Sequence, residues 1–396
     1  MTAGGGHGIL RGMSVVPHRL LLTAALLTTG PLGAAPGDGV LRAPVGTSEL
    51  VIVTSARFAG AIHSLTWGGV EFIDCADHGR ELQSACSANL GLPGPFWAEA
   101  WNPTEAGSRR DGAGPASTSR LLAYATTGAT MRTATQMAYW LNPGERSSGH
   151  PALNTNPLSD HVLRKQVRIG GPGGSNVLDY VVEFVVPAGE PHSFIQFEAL
   201  TGYMPERFGT FWTFDPATGD LVPLSDGPGE QPKPVILATA DGAHAMGIFA
   251  RPAPGARGPG YGRWRFGPQR VTKWNAVFRV ADADGVPAGA YRFQLHVPVG
   301  SLEEVRAALR RLTDPAAAAT RRRQTRRASC SRAEAPTTGS SPACAASCPT
   351  SSYPHGPSPA RANRCASTPA ASPQRSTPAS PATSAAHPSG ASSRWK

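Results

Sequence analysis

Val177-Leu178-Asp179-Tyr180-Val181-Val182-Glu183-Phe184-Val185-Val186 is the stretch that decides the fold class of this 396-residue chain. Val177, Asp179, Val181, Glu183 and Val185 face one way; Leu178, Tyr180, Val182, Phe184 and Val186 face the other. That period of two belongs to a strand. It recurs at 193–200, where Phe194, Gln196 and Glu198 stand against Ile195, Phe197 and Ala199. Further strand candidates are 50–53, 61–67, 70–73, 121–124, 133–141, 162–169, 208–214, 235–240, 244–250, 271–280 and 291–299. Turn signals such as Pro187-Ala188-Gly189, Asp241-Gly242 and Asp284-Gly285 separate them. Gly68-Gly69 supplies the positive φ angles of a tight two-residue hairpin. A single helix is predicted from Ser301, where Ser301 and Glu304 form a capping box, through Val305, Leu309 and Leu312. So many strands with so little helix exclude a parallel α/β sheet. They predict an all-β fold, a large antiparallel β-sandwich over 36–313 with few helices. No repeat of fixed period points to a propeller.

The two ends differ in kind from this middle. Arg19, the apolar run 20–27 and Gly33-Ala34-Ala35 have the layout of a secretory signal over 1–35, with Met13 as an alternative start. The run is too short for a membrane span, and the expected location is secreted or periplasmic. Residues 315–396 contain no Leu, Ile, Val, Met or Phe, so the segment 314–396 is expected to be a disordered Arg/Pro/Ser/Ala-rich tail. Its eleven Lys and Arg against the one acid Glu334 carry the whole formal charge of +10, leaving 26 of each sign in 1–314. The basic character therefore belongs to the tail. An abrupt change of this kind is also what a shifted reading frame in GC-rich DNA produces, and nothing in the folded part indicates a nucleic-acid partner. Cys75 and Cys86 are the only cysteines before the tail; in an oxidising compartment they could pair. No metal spacing, calcium motif or cofactor fingerprint is read, and oligomeric state is not legible.

Candidate chemistry concentrates at 78–111, expected to be mostly loop. His78, Arg80, Gln83, Trp101, Asn102, Glu105, Arg109 and Asp111 crowd there. Such a set offers a proton donor or acceptor with cations to hold an acidic group, as a lyase acting on uronic acids needs. The same residues could instead tie a long loop to itself. Candidate catalytic residues are His78, Glu105, His161 and Glu198; candidate substrate-binding residues are Arg80, Gln83, Trp101, Asn102, Arg109, Asp111, Lys273 and Asn275. His161 follows the loop carboxylate Asp160, and Glu198 lies between Phe197 and Ala199, where burial would raise its pKa. Lys273 and Asn275 share one strand face, and Trp212, Tyr261, Trp264 and Trp274 offer rings for sugar stacking or for the core. Gly258-Pro259-Gly260-Tyr261-Gly262 precedes no helix and is not a phosphate loop.

The stretch 58–73, with Gly60-Ala61-Ile62-His63-Ser64-Leu65, Gly68-Gly69 and Val70-Glu71-Phe72-Ile73, followed by Gly79-Arg80, resembles the opening of galactose-mutarotase-like supersandwich proteins. That group includes aldose 1-epimerases and polysaccharide lyases, so the resemblance implies a carbohydrate partner. It also implies a mid-chain catalytic His, for which His161 is the match, and a Glu on a late strand. The strands after residue 271 carry no Glu, a departure from the epimerase pattern. Stretches 78–83, 101–111, 196–205 and 225–232 are similar to secreted bacterial proteins to which no activity attaches. Three readings stay open: a carbohydrate-active lyase, epimerase or hydrolase, a carbohydrate-binding module, and a structural domain of the cell envelope.

Overall fold

A computed structural model describes residues 37–314; the expectations for the signal segment and for the tail lie outside the described residues. Within them the fold is all-β and antiparallel, with one α-helix. Strands form two layers. One layer runs, by neighbour, through Arg120–Thr127, Thr130–Tyr139, Leu158–Gly171, Gly174–Val186, Gly289–Gly300, Ala245–Ala250, Val235–Ala238, Thr210–Phe214 and Leu221–Pro223. The other runs through Gly39–Val45, Ser48–Thr54, Ile62–Trp67, Leu82–Ala88, Phe194–Pro205, Val271–Ala281, Arg257–Phe266 and Gly229–Gln231. The short strand Pro103–Thr104 bonds to one strand of each layer and makes the network continuous.

The alternation at 177–186 sets the packing. Tyr180, Val182 and Phe184 point between the layers and are fully buried. Phe184 of the first layer meets Phe197 of the second at 5.1 Å, and Phe293 meets Phe278 at 4.4 Å, offset-stacked or tilted as ring quadrupoles favour. Each such side chain contributes roughly 1.5–3 kcal/mol by leaving water. The helix Leu302–Thr313 covers part of the first layer's outer face, where Val305, Leu309 and Leu312 pack with Val177, Phe214 and Ile236. Its capping box is present: Ser301 N–H donates to Glu304 Oε2 at 2.8 Å, and Glu304 N–H donates to Ser301 Oγ at 3.3 Å. The 58–73 hairpin forms around Gly68 and Gly69, both at positive φ. Glu71 locks it by accepting N–H bonds from Leu65, Phe72 and Ile73 on one carboxylate oxygen.

Three strands of seven or more residues depart from the sequence expectation. Leu82–Ala88 lies inside the segment expected to be mostly loop; its small residues are almost all buried, so no two-sided alternation marks it. Gly39–Val45 pairs along its whole length with Ser48–Thr54. Arg257–Phe266 is a full strand despite three glycines and a proline. Its glycines have a packing reason, because a Cβ at 262 would overlap the Trp264 ring and one at 260 would overlap the Glu230 carboxylate. Cys75 and Cys86 are both free thiols.

Candidate functional site

A β-bulge in Phe194–Pro205 builds the most chemically loaded surface of the molecule. The pairing with Val271–Ala281 slips between Glu198 and Leu200. Without the extra residue, Glu198 and Leu200 would share a face. With it, Glu198 and Thr201 both turn away from the core, and Thr201 Oγ1 donates to Glu198 Oε2 at 2.7 Å. Gln196 and Tyr203 join them from the same strand, and Lys273, Asn275 and Arg279 from the next. Trp264 and Glu230 extend this outer face of the second layer. The result is a polar floor on a rigid sheet.

Lys273 Nζ lies 3.4 Å from Glu198 Oε2, 5.0 Å from the Tyr203 ring centroid and 4.9 Å from that of Trp264. Burial alone would raise the Glu198 pKa, but Lys273 and the hydrogen bonds of Thr201 and Asn275 outweigh it and hold the carboxylate ionised below its usual range. Burial likewise disfavours the Lys273 charge, yet Glu198 and the Tyr203 hydroxyl raise its pKa above the usual range. Asn275 is oriented by the Gly262 N–H, which donates to its Oδ1 at 3.1 Å. Arg279 is committed elsewhere on the floor, forking onto both Glu230 oxygens at 2.7 Å and donating to Gln196 at 2.9 Å.

A second carboxyl comes from the loop above. Glu99, in the short turn Ala98–Ala100, is within electrostatic reach of Lys273, Arg109 and Glu198. Ser147 donates to it, while its Oε2 is buried with no hydrogen-bond partner among the described residues. Burial pushes its pKa up to about 7, and Ser147, Lys273 and Arg109 only partly oppose this. Two carboxyls with opposed titration thus lie within electrostatic reach of one another, as separate acid and base roles require. Nothing in the sequence singled out Glu99; its signal is burial beside a second carboxylate, which only the fold creates.

The sequence-derived candidates divide. Glu198, Lys273 and Asn275 form the floor, and Arg109 reaches its edge, held by Glu145 at 3.4 Å and the Arg146 carbonyl at 3.3 Å. The rest of 78–111 is knit into the scaffold. Both ring nitrogens of buried His78 face carbonyls, of Gly112 at 2.8 Å and Arg57 at 2.9 Å. Glu105 and Lys165 form a fully buried ion pair, completed by the Ser84 N–H at 3.1 Å and the Gly60 carbonyl at 2.8 Å. Arg80 pairs with Asp74 at 3.4 Å and Asp77 at 3.2 Å. Gln83 accepts the Ala106 N–H at 3.0 Å, and Asn102 donates to the Cys86 carbonyl at 2.7 Å. Asp111 accepts from Ser108 N–H at 2.6 Å and Thr118 Oγ1 at 2.7 Å. Trp101 packs edge-on against Tyr139 at 4.6 Å. His161 is buried between the layers beside Glu190 and His192, whose ring lies 5.9 Å from that of Trp101, and burial lowers the His161 pKa to about 4. Of the aromatic candidates, Trp274 and Tyr261 are core residues, and Trp264 is the one on the floor.

No protein-family profile and no curated protein matches the chain. Solved structures overlay on it in part. The Slr1438 protein from Synechocystis sp. PCC 6803 gives a TM-score of 0.38 at 11% identity, covering 70% of this chain and 100% of that one. An α-mannosidase from Enterococcus faecalis V583 gives 0.39 at 10%, over 69% of this chain and 32% of the other. The α-galactosidase from Lactobacillus brevis gives 0.37 at 7%, over 67% and 40%. Likenesses this remote carry no activity across. No helix among the described residues is long and apolar enough to cross a membrane.

Proposed function

We propose that the protein binds carbohydrate on the floor formed by Glu198, Thr201, Tyr203, Lys273, Asn275 and Trp264, with Glu99 above it as proton donor and Glu198 as its ionised partner. One observation carries this reading: Glu198, Lys273 and Trp264 share one outward sheet face, and Glu99, whose titration is shifted the opposite way to that of Glu198, lies within electrostatic reach of Glu198 and Lys273. Hydroxyl-rich ligands need dense donors and acceptors beside an apolar ring face, and this surface supplies both. The resemblance at 58–73 points the same way.

The floor suits a neutral sugar better than a uronic acid. Lys273, Arg279 and Arg109 each already face a carboxylate, of Glu198, Glu230 and Glu145 respectively. An acidic sugar would have to compete with each of them. A second reading places acidic glycans on the outer face of the other layer. There a recess of about 290 Å³ is lined by Arg132, Arg164 and Arg292 over Ala123, Ala134 and Val181. Arg164 is paired with Glu183 at 2.8 Å, but Arg292 has no carboxylate partner among the described residues.

A thermal-shift screen against neutral and uronic oligosaccharides tests the reading. At about a hundred times its dissociation constant a specific ligand adds roughly 2.7 kcal/mol of stability. The proposal expects a shift with a neutral sugar that Trp264→Ala abolishes. A uronide shift abolished only by Arg292→Ala would move the site to the opposite face, and no shift with any sugar would contradict both readings.

A further inference from the structure

His161, Glu190 and His192 meet at a place the sugar floor does not use. His161 comes from the Leu158–Gly171 strand, and Glu190-Pro191-His192 from the connection into Phe194–Pro205. Glu190 Oε2 lies 3.5 Å from His161 Nε2 and 2.5 Å from His192 Nε2, and one ligand atom from each of the three falls within 4.8 Å of the others. Both imidazoles are about 1% exposed. His161 Nδ1 is buried with no hydrogen-bond partner among the described residues. The charged side chains acting on His161 besides His192 are Glu190 and Asp160, both acidic, with no Lys or Arg among them. Among the described residues the cluster thus sets two imidazoles beside acidic groups.

We infer that His161, Glu190 and His192 bind a divalent transition-metal ion of the zinc class. Two imidazoles and one carboxylate are a recurrent donor set for such ions, whose bonds of about 2.0–2.1 Å put tetrahedral ligands roughly 3.3 Å apart. The His161–Glu190 separation of 3.5 Å is close to that value, and the His192–Glu190 contact opens by under about 1 Å to admit the ion. Glu190, with its side chain 16% exposed, is the member of the set nearest solvent. Two existing bonds must be given up, that of the Leu90 amide to His192 Nδ1 and that of the His192 Nε2–H to Glu190. The Leu90 N–H donates to His192 Nδ1 at 3.2 Å, which keeps the imidazole proton on Nε2, facing Glu190. On metal capture that proton moves to Nδ1, Nε2 binds the ion, and the Leu90 amide is released. No net proton leaves. The ion ties an interior strand to the 187–192 connection, and so acts as a structural staple.

The test uses the full chain, stripped with chelator and with its accessible thiols alkylated so that cysteines cannot hold metal. It is titrated with Zn²⁺, then freed of excess and assayed for bound metal, with Co²⁺ spectra as a second readout. One zinc per chain, at least tenfold weaker in Glu190→Gln and in His192→Gln, is the expected result. The Co²⁺ form should lack a thiolate charge-transfer band, and ¹⁵N NMR should show His192 changing from the Nε2–H to the Nδ1–H tautomer. Glu190→Gln removes only a charge from the half-buried member and keeps the test independent of whether imidazole variants fold. Retention of no zinc by the wild type, or equal affinity in wild type and Glu190→Gln, overturns the inference.

Discussion

Lys273 Nζ lies 3.4 Å from Glu198 Oε2 across two neighbouring strands, and neither side chain is more than 18% exposed. Removing one partner leaves the other charge desolvated, which costs far more than an exposed pair is worth. Glu198→Gln should lower stability by about 1–3 kcal/mol, since the amide keeps part of the hydrogen bonding to Thr201. Glu198→Gln with Lys273→Met together should cost less than the two singles summed, because the stranded charge is gone. Urea denaturation of the four proteins checks this; strict additivity would mean the pair is not coupled.

Glu99 sets a pH dependence. Its folded pKa, about 7, lies above the unfolded value near 4.5, so the folded state holds the proton more tightly. The stabilisation is complete below the unfolded pKa and is lost as pH rises through about 7. Partial exposure limits it to on the order of 1–3 kcal/mol. Glu99→Gln should flatten the stability profile between pH 5 and about 8. If Glu99 is the proton donor, any turnover should fall on the alkaline side of the same pKa, and Glu99→Gln should abolish it while sparing sugar binding. An unchanged pH profile in the variant would remove Glu99 from the account.

Gly262→Ala is the most local test of the floor. The added methyl overlaps the Trp264 ring, so the ring must shift while the strand pairing remains. Sugar affinity should fall about tenfold or more, with a stability cost of about 1–3 kcal/mol. Fluorescence titration reads the affinity and thermal unfolding the stability.

The 78–111 segment should behave as scaffold. Lys165→Met leaves Glu105 buried without its cation and should cost about 3–5 kcal/mol. His78→Asn, which strips two carbonyls of a buried partner, should lose stability without changing affinity in the fraction that folds. A specific loss of sugar affinity in His78→Asn at unchanged stability would return that segment to the site.

The fold class was legible because 177–186 alternates over ten residues, and such a run has one physical reading. The helix was legible because Ser301 and Glu304 stand three apart and cap each other. Arg257–Phe266 was not, since its glycines signal turns and their packing reason, the Trp264 ring and the Glu230 carboxylate, lies on its own strand and on a neighbour. The density of charge at 78–111 marked a loop that must satisfy its own polar groups, which in sequence looks the same as a catalytic cluster. Glu198, Lys273 and Asn275 could be singled out individually. What could not be read was the bulge at Glu198–Leu200 that turns Glu198 and Thr201 to one side, or the descent of Glu99 from a segment about a hundred residues earlier. Glu190 and His192 carry no sequence signal for the same reason, since their partner His161 lies on another strand.

Hydrogen–deuterium exchange with and without a saturating neutral oligosaccharide tests the central claim most directly. The account predicts protection confined to 196–204, 260–266 and 271–277, with a smaller effect at 97–101. Protection centred on 123–134, 164–166 and 290–294, or none at all, would contradict it.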